Sequence, residues 1–373
     1  MSTNPIRILH IVGGMNTGGV ETWLMHVLRH IDRTRFQLDF MVHTEEPCFY
    51  DEEIRSLGSR ILPCMHPKRP LQYAANFRRI LKEHGPYDGV HSHVHHFSGF
   101  TLLLARLFGV RQRIAHSHND ISVKESGAGP LRRFYLATTE WLIERSATVG
   151  LACSELAAAS LFGLKWKNDP RWKVLYCGID LEPFKAPVDR AEVRTELGLP
   201  LDAFVLGHVG GFREAKNHEF LLDIFAQVAK RESKAWLLLV GEGSLRKKIE
   251  QKAQRLGLED KVIFAGVRAD IPRLMKGAMD VFVFPSRWEG LGLVLVEAQA
   301  AGLRCAISDV IPAEVVIIPQ LVCRLSLSGL ENWAQQVTNG EWLSEQVSKS
   351  QLLVENSKFN IRVSLDGLCA AYP

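Results

Sequence analysis

Two glutamates separated by seven residues, Glu289 and Glu297, lie in the string FPSRWEGLGLVLVEAQAAG at residues 284–302. The string reads as an apolar strand ending at Phe284 and Pro285, a glycine-rich turn, and a helix that begins near Gly292. Such a helix start directs free backbone N–H groups and the positive end of the helix dipole beyond the strand ends, where a diphosphate is stabilised. Glu289 precedes the helix and Glu297 lies a little over one turn inside it. The two carboxylates can therefore accept hydrogen bonds from different hydroxyl pairs of one ligand, such as a transferred sugar and a nucleotide ribose. Taken singly, each is also compatible with an ordinary helix acid.

Three further stretches carry polar chemistry at strand ends. In LGHVGGFREAKNHEFLLDIF, residues 206–225, Lys216 falls at an expected helix start. A cation there is electrostatically unfavourable unless an anion accompanies it. In GGMNTGGVETW, residues 13–23, four glycines make a loop whose backbone can approach a ligand closely. That loop is neither G-x-G-x-x-G nor a P-loop ending in G-K-[ST], which argues against dinucleotide oxidoreductases and P-loop NTPases. The clusters HSHVHH at 91–96 and HSHND at 116–120 each follow an apolar strand. Alternating imidazoles at strand ends can ligate zinc, yet the one carboxylate close in sequence is Asp120. The clusters are read as a polar cleft wall, with no metal site assigned.

Strands must carry these loops. IRILHIV, FQLDFMV, SRILPCM, YDGVHSH, RQRIAHSH, ATVGLAC and KVLYC alternate with helical patterns, and after a Gly- and Pro-rich segment near 177–190 the alternation restarts with FVLGHVGG, AWLLLVG, KVIFAG, DVFVFP and RCAIS. Strands separated by helices imply parallel pairing through right-handed crossovers, hence two doubly wound α/β domains. A length of 373 residues agrees with two cores. The tail after about Ser326 is helical in pattern.

With these motifs in place, the chain resembles family 4 of the retaining glycosyltransferases, in which two glutamates flank an E-G-hydrophobic-G turn. The resemblance covers essentially the full length. It implies the GT-B fold: two Rossmann-like domains facing a central cleft, with residues 1–184 as the acceptor domain, 185–355 as the nucleotide-sugar domain, and a C-terminal helix at about 356–373 returning to the first. It also implies that His118, Glu289 and Lys216 serve catalysis, with Glu289 on the donor sugar and Glu297 on the ribose. Donor contacts extend to Gly18, Gly19, Arg213, Val267, Arg268, Gly290, Leu291, Gly292 and Leu293, while Asn16, His91 and His93 lie on the acceptor side. Where the family carries a phosphate-binding arginine this chain has Gly211, and Arg213 stands two positions later. The resemblance further implies a nucleotide diphosphate sugar as co-substrate, with UDP the favoured carrier and no cofactor. The acceptor would be lipid-linked or a saccharide, in capsule or exopolysaccharide assembly. A nucleotide-sugar epimerase of the same fold, a metal-dependent hydrolase built on the histidines, and a non-catalytic nucleotide-binding relative are the competing readings.

The net charge of +4 arises entirely before residue 185, where 22 Lys and Arg face 18 Asp and Glu; beyond it the count is 23 against 23. Together with the basic, aromatic stretch GPLRRFYLATTEWLIER at 129–145, this bias suits peripheral contact with an anionic lipid surface. No window offers eighteen uninterrupted apolar residues, and the expected location is the cytoplasm, at the inner face of the membrane. Seven scattered cysteines suggest neither a disulfide framework nor a thiolate zinc site.

Overall fold

In a computed structural model the chain is described over residues 4–119, 127, 129–339 and 347–373. It divides into two compact units, Met1–Gly178 with Ile361–Pro373, and Ile179–Asn360.

The first unit holds a seven-stranded sheet ordered β3-β2-β1-β4-β5-β6-β7. The strands are β1 (Ile6–Val12), β2 (Phe36–Val42), β3 (Ile61–Pro63), β4 (Gly89–Ser92), β5 (Gln112–Ser117), β6 (Val149–Ala152) and β7 (Trp172–Val174). All pair in parallel. The apolar runs of β1 and β2 fit a sheet covered on both faces, while β4 and β5 carry His and Ser at their ends. Helices Gly19–His30 and Ile361–Cys369 pack together on this unit, tied by a hydrogen bond from Trp23 Nε1 to Ser364 Oγ at 3.1 Å.

The second unit has a six-stranded parallel sheet ordered β10-β9-β8-β11-β12-β13. Its strands are β8 (Phe204–Val209), β9 (Ala235–Val240), β10 (Val262–Phe264), β11 (Val281–Phe284), β12 (Arg304–Ser308) and β13 (Val322–Leu325). In each sheet the winding reverses at one point, between β1 and β4 and between β8 and β11. Ligand-binding crevices of doubly wound sheets open beyond the strand ends at such reversals.

Two boundaries differ from the sequence reading. The first unit ends at Gly178, before the expected 184, because Ile179 donates its amide to Phe359 O and Lys276 Nζ donates to Phe184 O and Ala186 O, fastening the segment to the second unit. The returning helix begins at Ile361, after the expected 356. One strand, β13, was not anticipated: it is a four-residue edge strand with an exposed Arg324 in its middle and lacks a long apolar run. All seven cysteines are free thiols. No helix among the described residues is long and apolar enough to cross a membrane.

Candidate active site

In the second unit, the loops that leave β8 and β11 lie on either side of the reversal point and are knitted together. Asn217, held in the left-handed region at φ 55°, donates from Nδ2 to Pro285 O at 3.1 Å and accepts from Arg287 Nε at 3.2 Å. The Arg287 amide donates to Ala215 O at 2.7 Å. Helix His218–Arg231 begins immediately after Asn217.

This bracing brings Lys216 and Glu289 together across 73 positions of sequence: Lys216 Nζ donates to Glu289 Oε1 at 2.7 Å, with both side chains largely buried. Lys216 Nζ also sits 4.9 Å from the centroid of the Phe284 ring, a cation–π contact. Lys216 lies one residue ahead of the helix cap, in a short 3-10 turn, and the anion that meets its charge is Glu289 itself.

Helix Leu293–Ala300 is capped by Gly292 at φ 87°, a left-handed conformation that glycine adopts without strain. A Cβ at that position would also press on the Phe284 ring at 3.3 Å. Leu291 is buried, and the turn through Gly290 to Leu293 brings the first helical amides to the end of β11. Glu297 is half-buried, and among the described residues its carboxylate has neither a hydrogen-bond nor an ion-pair partner. Desolvation pushes its pKa up to about 7.

Gly211 lies where a Cβ would be 3.2 Å from Glu242 O and 3.6 Å from Arg213 Nε. The Arg213 side chain thus reaches back over the glycine. It is exposed and has no ion-pair partner among the described residues. Arg268 differs: its guanidinium is held by Asp270 and Glu196, each at 2.8 Å, and beside it Val267 is half-buried. Arg268 therefore ties its loop to helix Arg190–Glu196, with its Nε and Nη2 donors engaged within the protein.

In the first unit five imidazoles project from one face of the sheet, since alternate residues of a strand share a face. His10 of β1 lies in register with His91 of β4, and His93, His116 and His118 extend the group. His91 and His116 are fully buried and His118 almost so, which corrects the expected polar wall: these side chains are roofed by Trp23 and Tyr372. The imidazoles contact one another, with His10 Nδ1 to His93 Nε2 at 2.9 Å and His93 Nδ1 to His118 Nε2 at 2.8 Å, while His118 Nδ1 faces the Cys177 thiol at 3.8 Å. Burial, reinforced between neighbours, lowers every pKa: His10 and His118 to about 3, and His91, His93 and His116 well below the usual imidazole value. Two triads, His10 with His91 and His93, and His93 with His116 and His118, bring one nitrogen each within 4.8 Å. No carboxylate joins either triad among the described residues; Asp120 lies outside the described residues. His10 and Tyr372 were not picked out from sequence, because one sits inside an apolar strand and the other lies 362 positions away.

The family model for "Glycosyltransferase Family 4" matches residues 17–183, and that for "Glycosyl transferases group 1" matches residues 189–339. EpsF of Bacillus subtilis, designated a glycosyltransferase, is 42% identical over 342 residues, spanning 90% of this chain and 88% of its own. The chain belongs to glycosyltransferase family 4. Other relatives of this family-4 enzyme include the Escherichia coli UDP-Gal:alpha-D-GlcNAc-diphosphoundecaprenol alpha-1,3-galactosyltransferase, 26% identical over 82% of this chain and 80% of its own. CapH of Staphylococcus aureus, a capsular polysaccharide biosynthesis glycosyltransferase, is 27% identical over 79% of each. Among solved structures, Anabaena HepE in complex with UDP-glucose matches with a TM-score of 0.80 at 20% identity over 98% of both chains. Sucrose-phosphate synthase from Thermosynechococcus elongatus matches at 0.74, also with 20% identity and 98% of both chains. The glycosyltransferase thus has the GT-B fold.

The remaining positions singled out in this glycosyltransferase lie along the loop after β1. Gly18 caps helix Gly19–His30 in an extended conformation, and around Gly19 a side chain would meet open space. Asn16 is exposed and accepts the Phe49 amide at 3.1 Å, which steadies the loop.

Proposed function

We propose that the enzyme takes its sugar from a nucleotide diphosphate donor held by the second unit and transfers it with retention of anomeric configuration to a lipid-linked acceptor during surface polysaccharide assembly. The observation that carries the donor assignment is Glu297: a half-buried carboxylate without a partner among the described residues, on the helix whose start adjoins the Lys216–Glu289 pair. An unpaired carboxylate in that position costs stability unless a ligand hydroxyl pair meets it. In this reading the ribose meets Glu297 and the sugar meets Glu289. The diphosphate lies against Lys216, Arg213 and the amides of the Gly290–Leu293 turn. Arg213, folded back over Gly211, supplies the charge that the family draws from the earlier position.

His118 is assigned to the transferred sugar, with His93, His91 and Asn16 on the acceptor side. The acceptor hydroxyl attacks the anomeric carbon on the face from which the diphosphate departs. The new C–O bond forms as the sugar–phosphate bond breaks, and the hydroxyl proton passes to the leaving phosphate oxygen. Positioning and fixed charge supply the rate enhancement. No metal or cofactor enters this scheme, because Lys216, Arg213 and the helix amides provide the positive charge.

The printed activities of the Escherichia coli and Staphylococcus aureus relatives support a UDP-linked donor and a polyprenyl diphosphate acceptor in capsule-type synthesis. Helix Pro130–Ser146 exposes Leu131, Phe134 and Trp141 beside Arg132 and Arg133, which supports peripheral contact with the anionic membrane where such an acceptor resides. The test is incubation with UDP-glucose, UDP-galactose and UDP-N-acetylglucosamine, a polyprenyl diphosphate saccharide and excess EDTA. The expected product keeps the donor's α configuration by NMR. A β-linked product, or a requirement for added metal, would contradict the scheme.

A further inference from the structure

Among the described residues, seven side chains of the first unit form one unbranched hydrogen-bonded chain. It starts at the Cys177 thiol, 3.8 Å from His118 Nδ1, and continues from His118 Nε2 to His93 Nδ1 at 2.8 Å. From His93 Nε2 it passes to His10 Nδ1 at 2.9 Å, and from His10 Nε2 to the Tyr372 hydroxyl at 3.2 Å. The hydroxyl meets His91 Nδ1 at 3.3 Å, and His91 Nε2 meets His116 Nδ1 at 3.1 Å.

Each neutral imidazole has one N–H and one bare nitrogen. A ring engaged at both nitrogens must donate at one and accept at the other, so the direction of each link dictates the next. Tyr372, with a single hydroxyl proton between His10 and His91, hands the direction on. With the Tyr372 hydroxyl proton engaged in the chain, two proton arrangements satisfy all six links. In one, the thiol donates and His118 Nδ1 is a bare acceptor; in the other, His118 Nδ1 carries the proton. Both leave the same atom over, His116 Nε2, and that atom is buried without a partner among the described residues. Neither arrangement can change into the other without moving the proton at every link.

We propose that this chain fixes the tautomer of His118, which makes Tyr372 a positioning residue for the group that meets the transferred sugar; the inference rests on the assignment of His118 made above. The link to Cys177 is the weakest, since a thiol is a poor donor and a poor acceptor. A sugar hydroxyl takes its place at His118 Nδ1, and the chain determines whether that hydroxyl donates or accepts. A tautomer fixed beforehand removes a reorganisation step from sugar binding.

The experiment compares wild type, Tyr372→Phe and Ser364→Ala by long-range 15N–1H correlation of the His118 ring. Ser364→Ala removes the bond from Trp23 to the helix that precedes Tyr372, without touching the chain. A single His118 tautomer is expected in wild type and in Ser364→Ala, and a mixture in Tyr372→Phe. With the most active of the three UDP-sugars above, transfer by Tyr372→Phe should fall roughly two- to tenfold, the scale of one mis-set hydrogen bond. Its affinity for UDP, which lacks the sugar, should not change. A single tautomer surviving in Tyr372→Phe, or a scrambled one in Ser364→Ala, would overturn the inference. Scrambled tautomers with undiminished transfer would instead overturn the placement of His118 at the sugar.

Discussion

Lys216 and Glu289, 73 positions apart in sequence, meet in a largely buried ion pair with Nζ 2.7 Å from Oε1. Removing one partner of such a pair leaves the other charge desolvated and uncompensated, whereas removing both does not. Lys216→Ala should therefore destabilise the protein by roughly 1–3 kcal/mol, and adding Glu289→Ala should return part of that loss. Urea denaturation of the two single variants and the double variant measures the coupling. Additive effects would mean that the two side chains act independently.

With Glu297 on the donor ribose, as proposed, donor binding should be pH-dependent. Its pKa, raised by desolvation to about 7, leaves much of it protonated near neutrality, whereas the ribose hydroxyls donate to the ionised form. Nucleotide-sugar affinity should thus rise from pH 6 to pH 8, with proton release on binding, and Glu297→Gln should flatten the profile. Calorimetry in buffers of different ionisation enthalpy reads the proton count. A wild-type profile as flat as that of the variant would exclude Glu297 from the site.

Gly292 combines a φ of 87° with a Cβ position 3.3 Å from the Phe284 ring. Gly292→Ala should cost about 1–2 kcal/mol from the left-handed backbone alone, and it should re-aim the helix amides at the end of β11. Thermal unfolding and UDP titration should both show the loss. A variant with wild-type affinity would indicate that the turn amides do not touch the diphosphate.

Acid should destabilise the chain well before its carboxylates protonate. Eight histidines have pKa values lowered mainly by burial, among them His43 and His208 at about 4 and His218 at about 2. Below about pH 6.5 the unfolded chain binds protons that the folded chain refuses, so stability falls as pH drops. Glu297, raised to about 7, and Glu140, which burial also raises, act in the opposite sense, but as two groups against eight. The melting temperature should decline from pH 7 to pH 5, and an unchanged value would show that the imidazoles titrate freely in the folded protein.

Most of the fold was legible in the sequence because parallel strands buried on both faces leave short apolar stretches between helical patterns, and twelve such stretches were visible. Strand β13 escaped because an edge position tolerates Arg324 at its centre. The Glu289 turn was equally plain, since its glycines and acids are contiguous. The ion pair with Lys216 depends on β8 and β11 being neighbours, which only the sheet order reveals. The histidine chain was least legible: His10 looks like a polar intrusion in β1 until β4 places His91 beside it, and Tyr372 arrives from the segment beyond the last helix. Local spacing shows where a loop lies, whereas topology shows which loops share a site.

The central claim is that the second unit binds a nucleotide diphosphate through Lys216, Arg213 and Glu297. Isothermal titration of UDP, GDP and ADP into wild type and into Arg213→Ala tests it most directly. At least one nucleotide, with UDP favoured, should bind to wild type, and Arg213→Ala should weaken that binding about ten- to a hundredfold, the scale of one charge-assisted contact. Absence of binding by all three nucleotides to the wild-type protein would contradict the account.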